Sequence, residues 1–122
     1  MNKCTIIGNV TKKPELRVTQ TGINVCSFSV AVNRKKTQSN QDPGTDYFNV
    51  TAWRGLGEIC ARYLDKGKKV CCVGAVSVRT YQASDGSTRA SLELTADDVE
   101  FLSPSNTDQQ TGMTVVDEEF PL

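Results

Sequence analysis

Thr45-Asp46-Tyr47-Phe48-Asn49-Val50-Thr51-Ala52-Trp53-Arg54 is the stretch on which the fold turns. It alternates with period two, as a half-buried strand does. Phe48, Val50 and Ala52 share one side and are expected in a core, while Tyr47, Asn49, Thr51 and Trp53 share the other. That second side carries small polar residues between two rings, which stand roughly 20 Å apart at about 3.3 Å per residue. With Arg54 beside it, such a face suits the stacking of bases and the meeting of phosphates. Two exposed rings on one strand fit the edge of a core or a subunit interface as well.

The flanking segments repeat the pattern. Upstream, Val25 to Asn33 alternates Cys26, Phe28, Val30 and Val32 with Ser27, Ser29, Ala31 and Asn33, a core face backed by a smooth small-residue face. Arg34-Lys35-Lys36 then opens a polar loop, Thr37 to Gly44. Asn2 to Val10 is expected as the first strand, with Gly8 marking a bulge or a close backbone approach. Thr11 to Pro14 breaks that run, and Glu15 to Thr19 is expected to continue its pairing. Downstream, Leu56, Ile59, Cys60, Tyr63 and Leu64 recur at three- and four-residue intervals, the chain's one helical pattern. Gly67 stands where a helix C-cap glycine belongs.

Val70 to Tyr81 is a further strand, with Cys72, Val76 and Val78 on one face and Ser77, Arg79 and Tyr81 on the other. Ser84-Asp85-Gly86-Ser87 is a hairpin turn. Arg89 to Leu102 completes the set. Its apolar phase switches from Leu92, Leu94 and Ala96 to Val99 and Phe101 across Asp97-Asp98, which predicts a bulge or a bend. The order β-β-β-α-β-β predicts an all-β fold. It is that of a five-stranded Greek-key barrel of the OB type, with one helix between strands three and four. The ligand face of such barrels centres on strands two and three, helped by the loops joining strands one to two and four to five.

The 122 residues divide into a barrel domain, 1–103, and a tail, 104–122. Pro104 to Gly112 holds no apolar residue and is expected to be a disordered linker. The formal net charge of zero hides an asymmetry. All 14 Lys and Arg lie between Lys3 and Arg89, against ten acids before Ser103, so the body carries +4 and the tail −4. A basic body with an acidic end points to a polyanionic ligand for the body.

Five cysteines without histidine or a C-x-x-C spacing are read as buried reduced thiols, at home in a reducing cytoplasm, and not as a zinc site. The chain enters its first strand without a signal-peptide pattern, and no apolar run approaches the ~20 residues that span a bilayer. A phosphate-binding G-x-x-x-x-G-K-[S/T] loop is missing, and Asp97-Asp98 is the only adjacent acid pair in the body. No catalytic residue, metal or cofactor is therefore expected.

Many short stretches, in order, resemble the bacterial-type single-stranded DNA-binding protein family, phage-borne members included. In the first half these are Ile7-Gly8-Asn9, Pro14-Glu15-Leu16-Arg17 and Ala31-Val32-Asn33-Arg34. Thr45 to Val50, Ala52-Trp53 and Tyr63-Leu64-Asp65-Lys66-Gly67 follow, then Arg79-Thr80-Tyr81, Asp85-Gly86 and Val99-Glu100-Phe101-Leu102. The resemblance implies a protein, not an enzyme, that coats single strands without sequence preference in DNA replication, recombination and repair. It also implies a homotetramer in the cytoplasm, associated with the nucleoid.

Tyr47, Trp53 and Tyr81 match the family's base-stacking aromatics. A further family aromatic falls near Lys36 here, so that platform is absent. Lys3, Arg17, Arg34, Lys35, Lys36, Arg54, Arg79 and Arg89 are the candidate phosphate contacts, each of which fits a solvated surface charge as well. The family's acidic tip ends in Ile-Pro-Phe and anchors in partner enzymes. The matching residues here are Asp117, Glu118, Glu119, Phe120, Pro121 and Leu122, with the aromatic ahead of the proline, and they are expected to recruit replication and repair proteins. The rival reading is an OB-fold protein-interaction module of the replication-restart type.

Overall fold

The computed structural model describes residues 1–39 and 43–103. The expected linker and the tip from Asp117 to Leu122 lie outside the described residues. In chain order the elements are β1 (Cys4–Val10), β2 (Glu15–Val18), β3 (Asn24–Asn33), β4 (Thr45–Trp53), α1 (Arg54–Tyr63), β5 (Lys69–Gln82) and β6 (Thr88–Phe101). They form one sheet in the order β1-β5-β6-β4-β3-β2, and a further pairing of β1 with β3 closes it into a barrel. β4 and β6 run parallel, and the other pairs are antiparallel. This is the expected five-stranded OB barrel, its first strand split into β1 and β2 where residues 11–14 break the run.

The split has a local cause. β1 pairs along β5, with Ile6 opposite Cys72, and its last two residues cross to β3, with Asn9 opposite Ala31. At that crossing Gly8 lies so close to β3 that a Cβ would meet the Ala31 carbonyl, the close approach its place in the strand predicted. β2 then pairs with the start of β3, Arg17 opposite Val25.

Phe28, Val30, Val50, Ala52, Cys72 and Leu94 are buried from the strands, and Cys60 and Leu64 close the core from α1 and the residue after it. The phase switch in β6 is a bulge. Val73 faces Asp98 while Gly74 faces Ala96, so Asp97 is the extra residue and Val99 turns inward with Leu94.

Three expectations need correction. α1 begins at Arg54, and of the five residues in the helical pattern only Leu56, Cys60 and Leu64 face the barrel, joined there by Gly57 and Ala61. Ile59 and Tyr63, at the same spacing, are 42% and 57% exposed, because a ten-residue helix over one end of a barrel buries a narrow stripe. Gly67 is not its C-cap. The helix ends in an extended Leu64, and Gly67, at φ 88°, sits in the turn in which the Lys68 amide donates to the Asp65 carbonyl at 3.1 Å. Val78 has the core phase but is 62% exposed, since the β5–β6 ribbon runs past the barrel rim there. All five cysteines are free thiols, four buried and Cys4 half-buried.

Candidate nucleic-acid interface

The face opposite the core is built by register. Ser29 lies opposite Asn49, Asn49 opposite Glu93, and Glu93 opposite Ser77, one row across β3, β4, β6 and β5. The next row runs Ser27, Thr51, Thr95, Ala75. Period-two alternation sends all of these outward while Phe28, Val50, Leu94 and Val76 point inward. Small side chains leave the backbone low, and a groove of about 520 Å³ runs over Ser27, Ser29, Asn49 and Thr51, flanked by Lys12, Lys13, Arg17 and Arg79. A second recess of about 370 Å³ lies between Arg17, Val18, Thr19, Val25, Thr51 and Trp53. The two share Arg17 and Thr51, so they form one continuous channel.

Of the expected stacking rings only Trp53 lines this channel, while Tyr47 and Tyr81 stand on the same face beyond its lining residues. Trp53 faces Val25 across the strands, and Tyr47 faces Ala31, too small to cover it. Both remain about half exposed. On β5, Arg79 and Tyr81 follow Ser77 on the same face, and the Arg79 guanidinium stands 6.0 Å from the Tyr81 ring centroid, within cation–π reach. In the floor, a Glu93 carboxylate oxygen accepts from the Asn49 amide at 2.9 Å and from the Ser91 hydroxyl at 2.9 Å. These bonds fix Glu93 among the cations, and Glu15 is the second acid lining the groove.

The expected phosphate contacts divide into two groups. Arg34 donates to Asp46 from Nε at 3.1 Å and from Nη2 at 2.8 Å. That hydrogen bond holds the Asp46 carboxyl below its ordinary range and the guanidinium above its own. Arg89 is paired with Asp85 at 3.5 Å, and Arg17 more loosely with Glu15 at 3.9 Å. Lys3, Lys35, Lys36, Arg54 and Arg79 have no ion pair among the described residues. Of the eight, only Arg17 and Arg79 line the groove.

Two of its cations, Lys12 and Lys13, were missed by sequence reasoning. Their signal was a basic pair in the break of the first strand, a loop that this architecture carries over the ligand face. Glu93 was missed as well, although its even spacing from Ser91 and Thr95 gave its face. Among the described residues no three Cys, Asp or Glu side chains are grouped to hold a metal.

Residues 1–102 match the Single-strand binding protein family. The chain belongs to this family. It is 39% identical over 106 residues to the Single-stranded DNA-binding protein of Caldanaerobacter subterraneus subsp. tengcongensis, covering 87% of this chain and 71% of the relative. It is 40% identical over 103 residues to Single-stranded DNA-binding protein 1 of Clostridium acetobutylicum, covering 84% and 94%. Its structure is similar to the crystal structure of a small single-stranded DNA-binding protein from Streptomyces coelicolor, with a TM-score of 0.72, 27% identity and coverage of 81% and 92%. Among the described residues no helix is long and apolar enough to cross a membrane.

Proposed function

We propose that this chain binds single-stranded DNA without sequence preference and protects it during replication, recombination and repair, with no catalytic step. The observation that carries this is the channel over β3 and β4. It is low and polar along its floor, bordered by Trp53, and flanked by Lys12, Lys13, Arg17 and Arg79. Two terms hold the strand. Bases stack on Trp53, Tyr47 and Tyr81, each for about 1–3 kcal/mol whatever the base. Phosphates displace counterions from the lysines and arginines. Cations without a carboxylate partner supply most of this second term, because Arg34 and Arg89 must first give up Asp46 and Asp85.

Membership of the family supports the rest of the proposal. Residues 1–103 form the DNA-binding domain and 104–122 a linker with a partner-recruiting tip at Asp117, Glu118, Glu119, Phe120, Pro121 and Leu122. The working form is a homotetramer in the cytoplasm, associated with the nucleoid.

Trp53 is the only tryptophan in the chain, which makes the test direct. Titration with poly-dT is expected to quench its emission at stoichiometric ratios. Trp53→Ala is expected to weaken binding by about 1–3 kcal/mol per site. Tight binding with unchanged emission would take Trp53 out of the channel, and no binding to a bare oligonucleotide would overturn the proposal itself.

A further inference from the structure

Glu93 is an acid in a channel whose flanks are basic. It lines the same groove as Lys12, Lys13, Arg17 and Arg79. Among the described residues it pairs with none of them, whereas Glu15, the other acid there, stands 3.9 Å from Arg17. An unpaired carboxylate beside the path of a polyanion repels it. Glu93 does tie β4 to β6, where it lies opposite Asn49. A glutamine would tie them as well, because its carbonyl oxygen accepts the same bonds. The tie explains the length of this side chain and not its charge.

Both hydrogen bonds to Glu93 reach one oxygen. Oε2 accepts from Asn49 Nδ2 and from Ser91 Oγ, each at 2.9 Å. Among the described residues Oε1 has no hydrogen-bond partner. The carboxylate also sets the Asn49 amide, since only its NH2 can donate, and the Asn49 carbonyl oxygen is left as a further acceptor. Glu93 is half-buried, and an acceptor held partly out of water gains more from a donor than one in bulk solvent.

Of the parts of a DNA strand, only the bases supply that donor. Phosphate oxygens accept, and deoxyribose lacks the 2′-hydroxyl that RNA would offer. Cytosine presents an N4 amino group and adenine an N6 amino group, where thymine presents the O4 carbonyl. A base also comes to the right place. Asn49 shares its side of β4 with Tyr47 and Trp53, about 7 Å from the first and about 13 Å from the second at 3.3 Å per residue. A strand stacked on both rings crosses the Asn49–Glu93 pair between them.

We propose that Glu93, fixed by Asn49 and Ser91, is a specificity-determining residue of the channel. Its free Oε1 accepts from the exocyclic amino group of one base per protomer and favours cytosine over thymine at that point. The inference rests on the DNA-binding proposal and deepens it. One graded contact per protomer leaves the order of bases unread, so every strand is still bound, and amino-bearing stretches are held more firmly.

The test titrates Trp53 emission with oligo-dC and oligo-dT of equal length, at mildly alkaline pH where cytosine is neutral. It uses the full chain and the full chain carrying Glu93→Gln. Loss of the charge changes the affinity for both strands alike, so the readout is the ratio of dC to dT affinity. That ratio is expected to be about threefold to tenfold lower in the variant, the difference one hydrogen bond makes. The slope of log K against log salt is expected to be the same for both oligonucleotides, whose phosphates are the same. A second arm leaves the protein unaltered. An oligomer of pyrimidinone deoxynucleosides, which are cytosine without its amino group, is expected to bind the unaltered chain about threefold to tenfold more weakly than oligo-dC. An unchanged or higher ratio in the variant, or equal binding of the two oligomers by the unaltered chain, would reduce Glu93 to a tie between strands and overturn the inference while DNA binding stands. Failure of every oligonucleotide to bind would overturn the DNA-binding proposal itself, and this inference with it.

Discussion

Arg54 is the only non-glycine residue with a positive φ among those described, at 60°. It follows Trp53, which ends β4 in an extended conformation and stands at the start of α1 with no side-chain cap. One left-handed residue thus turns the chain from strand to helix, and leaves Trp53 on the channel face while α1 crosses the barrel end. An L-residue gives up roughly 1–2 kcal/mol to adopt that conformation, and strain of this kind gathers at functional sites. Sequence alone placed Arg54 beside the aromatic strand but gave no sign of its backbone, because the neighbouring Gly55, not Arg54, looks like the turn residue. The two contributions of Arg54 separate experimentally. Arg54→Gly is expected to be more stable than Arg54→Ala by up to about 1 kcal/mol in urea titrations, since only glycine adopts this φ without cost. Both variants are expected to lose the same increment of affinity for poly-dT, with the slope of log K against log salt smaller by about 0.7. Equal stability of the two would remove the strain, and an unchanged slope would remove the phosphate contact.

Among the elements, the strands were legible because each buries one face, and period two names that face whatever the strand packs against. β3, β4 and the bulged β6 follow the pattern residue by residue. What failed were inferences needing to know where the barrel stops. Val78 continues the core phase of β5 beyond the rim, and Ile59 and Tyr63 continue the helical phase of α1 beyond the stripe that meets β3. The break between β1 and β2 was read as a gap in pairing, and its contents were passed over. Folding brings Lys12 and Lys13 there beside Ser27, Asn49 and Arg79, contacts across space that no local spacing encodes. That segment can be tested against the hairpin at the tip of β5–β6, whose Arg89 is occupied by Asp85. Lys12→Ala with Lys13→Ala is expected to reduce the salt slope of poly-dT binding by about 1.4, two phosphates at about 0.7 each. Arg89→Ala is expected to change it far less. The reverse order, measured by titrating Trp53 emission at several salt concentrations, would move the strand's path from the β1–β2 loop to the hairpin.

Over the whole molecule, the element order was enough for the architecture, since a β-β-β-α-β-β chain with one helix has few ways to close a barrel. The composition of the core has a consequence that only the folded arrangement reveals. Cys26, Cys60 and Cys72 are buried in one cluster with Val30, Val50 and Leu94. Loss of water pushes the thiols of Cys60 and Cys72 up from 9.0 to about 12, Cys60 further raised by Cys26 and Cys72 by Cys60 and Cys71. The folded values lie above the unfolded one, so the stability tied to these thiols is complete below pH 9 and is lost as pH rises toward 12. In that window the unfolded chain releases protons that the folded chain keeps, and each thiol removes up to about 1.4 kcal/mol of stability per pH unit. Urea midpoints measured under reducing conditions are therefore expected to be level from pH 7 to pH 9 and to fall steeply above it. A chain carrying Cys60→Ala and Cys72→Ala is expected to start lower at pH 7, because each lost sulfur leaves a small cavity, and to decline less over the alkaline range. Parallel curves for the two chains would show that the core thiols do not govern alkaline unfolding, and would shift its cause to the surface lysines and tyrosines.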